Sequence, residues 1–136
     1  MAAFVIDSSV AAAWCFPDEQ TGYTNGVLAT LSDLVAAVAP RLFAYEVRNT
    51  ILMGVRRGRI QRSEAGTFLA SLHKLPIRFA DPESYDRVFE LAETHRLTFY
   101  DAAYLDLALR GSLPIASLDR ALVQAAAQSG VSVFQP

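Results

Sequence analysis

The sequence predicts an α/β protein with a central, mostly parallel, five-stranded sheet that is covered by helices on both faces. Five short apolar segments have the length of buried strands, and longer stretches with helical periodicity separate them. Strands that alternate with helices are joined by right-handed crossovers and therefore run parallel. The length of 136 residues suits a single domain with a substantial hydrophobic core.

The five strands are predicted from apolar runs bounded by polar or turn-forming residues. The first run ends at Asp7 and the second ends before Pro40, whereas Gly111 and Gly130 precede the last two. The predicted strands cover residues 3–6, 34–39, 75–79, 113–116 and 131–134.

The intervening helices are predicted from apolar periodicity and capping residues. In the strongest, 42–57, apolar side chains recur every fourth residue from Phe43 to Val55, and Gly58 ends the helix. The other predicted helices cover 9–16 and 19–31, begin at the cap residues Ser63 and Asp81 (the latter followed by Pro82), and extend from Thr98 to about Arg110 and from Asp119 to about Gly130.

The composition excludes several classes of protein. Cys15 is the only cysteine, so neither an internal disulfide nor a cysteine-based zinc site can form. The longest apolar stretch, 10–16, is too short to cross a bilayer, and Asp7 interrupts the N-terminal run where a signal peptide would continue. We therefore expect a cytoplasmic protein. Its mean hydropathy of +0.23 indicates that some apolar surface is covered by a partner.

Four acidic residues are candidates for a shared site, and two of them stand where an α/β fold places its chemistry. Asp7 and Asp119 follow the first and fourth strands, and ligands bind such sheets outside the carboxyl ends of the strands, where strand order reverses. Asp101 begins the helix that leads into the fourth strand. Glu46 lies on the strongest helix, and Asn49 shares its face three positions on.

Each acid also has a purely structural interpretation. Asp7 and Asp119 could cap the helices that follow them, and Asp101 occupies the third position of a capping-box pattern that starts at Thr98. Glu46 could be a solvated residue on a helix side.

Taken together, the four acids favour a metal site. Neighbouring carboxylates repel one another unless they are protonated or bind a cation, and hard divalent ions prefer oxygen ligands. Such a site activates water and stabilises the charge that develops on a phosphodiester.

No other motif in the sequence competes with this site. The chain has no glycine-rich phosphate loop, and His73 and His95 lack the spacing of metal ligands. Without the four acids, 12 basic residues face 10 acidic ones, and this mildly basic remainder is compatible with a phosphate-bearing substrate.

Four segments in order resemble the motifs of one family. They are Phe4-Val5-Ile6-Asp7-Ser8-Ser9, Tyr45-Glu46-Val47-Arg48-Asn49, Tyr100-Asp101-Ala102-Ala103-Tyr104-Leu105 and Ile115-Ala116-Ser117-Leu118-Asp119. With this order and spacing over nearly the whole chain, the sequence resembles PIN-domain proteins, and among them the VapC-type toxins of toxin–antitoxin pairs. The resemblance implies a single PIN domain over residues 1–136, a three-layer α/β/α sandwich, Mg²⁺ or Mn²⁺, and hydrolysis of RNA. It also implies a homodimer and a small VapB-like antitoxin that blocks the acidic pocket.

The resemblance also assigns roles to individual residues. It implies an acidic quartet that binds metal and carries catalysis, and three supporting polar residues. The quartet is Asp7, Glu46, Asp101 and Asp119, and the supporting residues are Ser9, Asn49 and Ser117. Our hypothesis is that Asp7 and Asp101 bind one metal directly, while Glu46 and Asp119 act through water or help to hold a second ion.

Residues near the quartet offer candidate contacts to RNA. Arg56, Arg57 and Arg59 belong to the only dense basic stretch, which is either a solvated helix end, the interpretation that we favour, or a rim that contacts phosphates. Tyr45 and Tyr100 adjoin two of the acids and could stack on a base.

Two rival functions stay open at this point. One is a PIN-fold binding module without nuclease activity. The other is an aspartate-based phosphoryl-transfer or receiver protein in which Asp7 accepts phosphate. The second has little support, because Ser9 stands where a haloacid-dehalogenase-like site has a second aspartate and Lys74 is the only lysine.

Overall fold

The computed structural model describes residues 2–136 and contains a four-stranded, wholly parallel sheet with the strand order β3-β2-β1-β4. The first strand therefore lies inside the sheet, with the second and fourth strands on either side of it. The strands are β1 (Ala2–Ile6), β2 (Ala36–Ala39), β3 (Ile77–Phe79) and β4 (Ile115–Ala116).

The described residues also form seven α-helices and one short 3-10 helix (Pro17–Glu19). The α-helices are α1 (Ser8–Ala13), α2 (Gly22–Thr30), α3 (Leu42–Arg56), α4 (Arg62–His73), α5 (Tyr85–His95), α6 (Phe99–Gly111) and α7 (Arg120–Gln128). Helices α1 to α4 pack on one another and α6 packs between α5 and α7, which completes the predicted three-layer α/β/α sandwich. No helix in 2–136 is long and apolar enough to cross a membrane.

The fifth predicted strand, 131–134, does not form, so the prediction of a five-stranded sheet was wrong. Only Val133 makes an isolated parallel bridge, to Ile115. Its neighbour β4 has two residues, which gives a further strand almost no backbone to pair with. The segment instead places Phe134 against Phe4, with the two rings stacked 3.9 Å apart.

Two predicted helix starts were also misplaced. Helix α4 begins at Arg62, and the backbone N–H of Gln61 donates to Glu64, so Ser63 is not the cap. Helix α5 begins three residues after Asp81-Pro82, where the Ser84 hydroxyl accepts from Arg87 N–H. In both cases a side chain accepts a hydrogen bond from a backbone N–H that the first turn of the helix leaves without a partner.

The core holds the central strand and the helix that crosses it. Phe4, Val5 and Ile6 are completely buried, as expected for a parallel strand that is covered on both faces. Helix α6 is buried continuously from Ala102 to Ala108. Burial of such apolar side chains stabilises the fold by about 1.5–3 kcal/mol each. Both elements are therefore rigid supports for the polar residues at their ends.

Candidate active site

Adjacent parallel strands bring two segments of the predicted site together. Ile6 of β1 is paired with Ala116 of β4, so the next residues, Asp7 and Ser117, leave the sheet side by side. The Asp7 N–H donates to the Ala116 carbonyl at 2.9 Å, and the Ser117 hydroxyl donates to the Asp7 carboxylate at 2.7 Å. The strand order changes direction at this point, where the sheet was predicted to carry its site.

Asp7 is held as a buried carboxylate and does not act as a helix cap. It occupies the N-cap position of α1, but its side chain accepts no capping hydrogen bond, and only 4% of the residue is exposed. The hydroxyls of Ser9 and Ser117 both donate to its Oδ2, at 2.6 and 2.7 Å. Burial raises the pKa of Asp7 although these hydrogen bonds lower it, and the charge of Asp119 raises it further. The carboxylate is thus fixed in orientation, and Oδ1 has no hydroxyl partner.

The two serines are themselves oriented by backbone groups. Leu118 N–H donates to the Ser9 hydroxyl at 3.0 Å, and Asp119 N–H donates to the Ser117 hydroxyl at 3.0 Å. Since each oxygen accepts a backbone hydrogen bond, its proton points to Asp7. Both predicted supporting serines therefore contact the first acid.

Glu46 accepts a hydrogen bond from a tyrosine that the sequence analysis missed. The Tyr104 ring is completely buried, and its hydroxyl donates to Glu46 Oε1 at 2.7 Å. Burial raises the pKa of Glu46, and the charges of Asp7 and Asp101 add to this, while the Tyr104 hydrogen bond lowers it. Tyr104 lies three residues after Asp101 on α6, and this spacing, which places both on one helix face, was the available signal.

Helix capping uses a side-chain oxygen of Asp119 but only the backbone N–H of Asp101. The Thr98 hydroxyl caps α6 by accepting from the Asp101 backbone N–H, and burial together with the charges of Asp119 and Asp7 raises the pKa of the Asp101 carboxyl to about 6. Asp119 is the true N-cap of α7, because its Oδ1 accepts from Leu122 N–H at 3.1 Å. The interpretation of Asp119 as a helix cap is therefore correct. Its Oδ2 atom makes no capping hydrogen bond.

The four acids interact through their charges, and we call this cluster the acidic pocket. Asp7, Glu46 and Asp101 each have a pKa raised by burial and by the charge of at least one other member. Within the described chain no three acidic, histidine or cysteine side chains converge into a ready metal-binding group. The donor set nevertheless fits a hard cation such as Mg²⁺, because it consists only of oxygen atoms and Mg²⁺ keeps several waters beside a few carboxylates.

The remaining predicted site residues lie on two different surfaces. Asn49 lines a groove beside Glu46. Arg56 and Arg57 are exposed near the end of α3, about 15 Å along the helix axis from Glu46. Arg59 pairs with Asp18 and Glu19 and lies over the Phe16 ring, at 4.2 Å from its centroid. The structure therefore does not bring the three arginines into contact with the acids.

Comparison with known proteins identifies the class to which this fold and site belong. The profile of the PIN domain family matches residues 4–128, so the chain belongs to the PIN domain family. It is also homologous to Ribonuclease VapC3 of Pyrobaculum aerophilum, with 32% identity over 124 residues that cover 88% of this chain and 92% of the relative.

Solved structures agree with this assignment at the level of the fold. PAE2754 of Pyrobaculum aerophilum superimposes with a TM-score of 0.72 and 22% identity over 91% of this chain and 84% of its own. VapC20 of Mycobacterium tuberculosis, a sarcin-ricin loop cleaving toxin, gives 0.71 and 15% over 98% and 100%. FitAcB of Neisseria gonorrhoeae gives 0.65 and 19% over 100% and 98%.

Proposed function

We propose that this chain is a divalent-metal-dependent endoribonuclease and the toxin of a toxin–antitoxin pair. One observation carries the proposal: four acids from distant parts of the sequence lie close enough for their charges to interact, and burial together with these charges raises the pKa of three of them. The homology to Ribonuclease VapC3 supports RNA as the substrate.

The four acids would have different roles at the cation. Asp7 and Asp101 would hold Mg²⁺ or Mn²⁺ directly. Asp7 Oδ1 is available for this contact, because both serine hydroxyls donate to Oδ2. Glu46 and Asp119 would act through water or help to hold a second ion, each with the oxygen that Tyr104 or the α7 cap leaves available.

When bound, the cation would supply an activated water and would neutralise the charge that develops on the phosphodiester. The chain contributes orientation: Ser9 and Ser117 fix the Asp7 carboxylate, Tyr104 fixes Glu46, and the rigid core fixes the backbone of both. Water adds to phosphorus, the P–O3′ bond breaks, and the products carry 5′-phosphate and 3′-hydroxyl ends.

The proposed partners are RNA, a second copy of the chain and a small antitoxin. Tyr85 and Phe89 on α5 are 68% and 58% exposed and offer apolar surface for a protein contact. Light scattering would measure the oligomeric state. Co-purification with the product of the neighbouring reading frame, with loss of cleavage on binding, would test the antitoxin.

The activity is tested by incubating total RNA with the purified chain in Mg²⁺ or Mn²⁺, then mapping the ends. Asp7→Asn should lower cleavage more than about 100-fold and keep the fold, since the change removes a charge from the reacting centre. Asp33→Asn, on an exposed turn, is the matched control and should cleave normally. Full activity of Asp7→Asn would refute the assignment, and RNA binding by a wild type that cleaves with neither metal would favour a binding module.

A further inference from the structure

An open groove lies directly beside the acidic pocket. It has a volume of about 460 Å³ and is lined by Leu42, Tyr45, Glu46, Asn49 and Tyr100. Because Glu46 belongs both to the groove and to the acidic quartet, a ligand part that enters the groove lies next to the acids. The volume falls in the range of small-molecule sites, about 300–1,000 Å³.

Two tyrosine rings in the groove are exposed and have no partner in the described part of the chain. Tyr45 is 79% exposed and Tyr100 is 62% exposed. Neither hydroxyl makes a hydrogen bond, and neither ring takes part in an aromatic pair or a cation–π contact within residues 2–136. By contrast, the neighbouring Phe99 packs near the Tyr85 ring, with 6.4 Å between centroids.

Both tyrosines occupy the same position relative to an acid. Tyr45 directly precedes Glu46 in α3, and Tyr100 directly precedes Asp101 in α6. Each lies in the first turns of its helix, and each acid faces the shared pocket while the tyrosine before it lines the groove. Two unrelated helices thus present an aromatic face next to a carboxylate.

The chemistry of the lining selects the kind of ligand. Within residues 2–136 no cationic side chain lines the groove, and Glu46 repels phosphate, so the groove does not suit the nucleic-acid backbone. Two aromatic faces suit a flat ring, and the Asn49 amide can both donate to and accept from the edge of a base. An unstacked nucleobase meets all of these requirements.

We propose that the groove is a nucleobase subsite, in which Tyr45 and Tyr100 stack on a base adjacent to the phosphodiester that is cleaved. This inference rests on the proposed ribonuclease function and adds how the RNA is positioned. Stacking tolerates any base, so the two rings would fix the position of the strand, and Asn49 would contribute the preference among bases.

The test separates contacts to bases from contacts to the backbone. Fluorescence anisotropy in Mg²⁺ would compare a labelled twelve-nucleotide oligoadenylate with an abasic ribose-phosphate chain of equal length, using Asp7→Asn protein to limit cleavage. Tyr45→Leu and Tyr100→Leu should each weaken oligoadenylate binding by at least about fivefold and leave abasic binding within about twofold. Tyr45→Phe and Tyr100→Phe, which keep an aromatic ring, should each bind oligoadenylate with the affinity of the unsubstituted position.

The matched control is an exposed aromatic ring outside the groove. Phe79→Leu removes a ring that is 43% exposed and should change neither affinity. Unchanged oligoadenylate binding by both leucine variants, equal losses for both ligands, or no binding at all would overturn the subsite. Loss of self-association in Tyr45→Leu with unchanged RNA affinity would likewise overturn it and assign the groove to a protein contact. Failure of the ribonuclease proposal is read separately, from cleavage by the wild type.

Discussion

Helix α6 carries two acidic side chains in opposite electrostatic settings. Asp101, at its start, faces other carboxylates and has a pKa raised to about 6. Asp106, five residues on and therefore turned by about 140°, is only 2% exposed, and its Oδ2 accepts from Arg110 Nε at 2.9 Å. The buried Asp106 has a cation supplied by the chain, whereas the half-exposed Asp101 is influenced by the like charges of Asp119 and Asp7.

A structural acid and a ligand-binding acid can thus be distinguished within one protein by whether a cationic side chain is paired with them. Arg110 also reaches the Asp81 carbonyl at 3.1 Å, so the Asp106 charge is neutralised by a side chain that is itself anchored. No arginine or lysine is paired with the quartet anywhere in residues 2–136. Its repulsion therefore costs stability that a bound divalent ion would recover.

Removing the Arg110 side chain should have the largest effect on stability. Arg110→Ala leaves the Asp106 charge buried without a partner, and we expect a loss of about 2–3 kcal/mol in the free energy of unfolding, measured by urea denaturation. Arg87→Ala breaks only the exposed pair with Glu90 and should cost less than about 0.5 kcal/mol. Equal losses for the two variants would mean that Arg110 does not neutralise Asp106.

Tyr104→Phe should weaken metal binding without removing a carboxylate. The change deletes the hydrogen bond that the Tyr104 hydroxyl donates to Glu46 Oε1. In the wild type this hydrogen bond fixes the carboxylate and lowers its pKa. Loss of such a supporting group typically costs about tenfold or more in metal affinity, which calorimetric titration with Mn²⁺ would measure.

The matched control for Tyr104→Phe is Tyr23→Phe, which deletes a hydrogen bond of 2.9 Å to the Phe134 carbonyl, outside the pocket. It should show a comparable loss of stability, about 1 kcal/mol, with an unchanged Mn²⁺ affinity. Unchanged metal affinity in Tyr104→Phe would separate Glu46 from the metal site.

Replacing Asp101 should change the pH dependence of stability. A carboxyl whose pKa is about 6 when folded and 3.8 when unfolded favours folding most at low pH, and this contribution is lost as pH rises from about 4 through 6. Asp101 is half-exposed, so screening reduces the effect to about 1 kcal/mol. In metal-free buffer, the decline between pH 4 and 7 should be smaller in Asp101→Asn than in the wild type, as followed by urea denaturation at each pH.

The exposed acid Asp33 again supplies the control for Asp101→Asn, because Asp33→Asn should keep the slope of the wild type. Mg²⁺ at pH 7 should stabilise the wild type and Asp33→Asn more than Asp101→Asn. Parallel pH curves for wild type and Asp101→Asn would show that the Asp101 charge is not under repulsion.

The fold could largely be predicted because its strongest signals are local. Strand β1 and helix α3 are long apolar or periodic runs, and their limits in the structure differ little from those predicted. The strand at 131–134 failed because its pairing depends on the length of the neighbouring β4, which no local pattern encodes. The start of α5 failed because Asp81, a good local cap signal, instead contacts Arg41 and Arg110 from distant parts of the sequence, and Ser84 caps the helix.

The candidate site was less accessible to sequence reasoning. The strand-end rule pointed to Asp7 and Asp119, whereas the placement of Glu46 depends on how α3 packs, so the sequence proposed Glu46 without placing it beside the other acids. Tyr104 was missed because a tyrosine within a buried apolar run has the pattern of a core residue. The partners of Arg59 lie forty and forty-one positions away in the sequence, a distance that no periodicity bridges.

The end of α3 extends the comparison to basic residues and gives the smallest expected effect. Arg59 resembles Asp106 in that its charge is already paired, whereas Arg56 and Arg57 make no ion pair in the described chain.

If Arg56 and Arg57 contact RNA phosphates, Arg56→Gln/Arg57→Gln should lower the slope of log affinity against log salt by about 1.4, or about 0.7 for each phosphate. Arg59→Gln should leave that slope unchanged, because its partners Asp18 and Glu19 already hold the charge. Anisotropy titrations of oligoadenylate at several salt concentrations measure the slopes. An unchanged slope in the double variant would identify Arg56 and Arg57 as a solvated helix end, and it would confine RNA recognition to the groove and the acidic pocket.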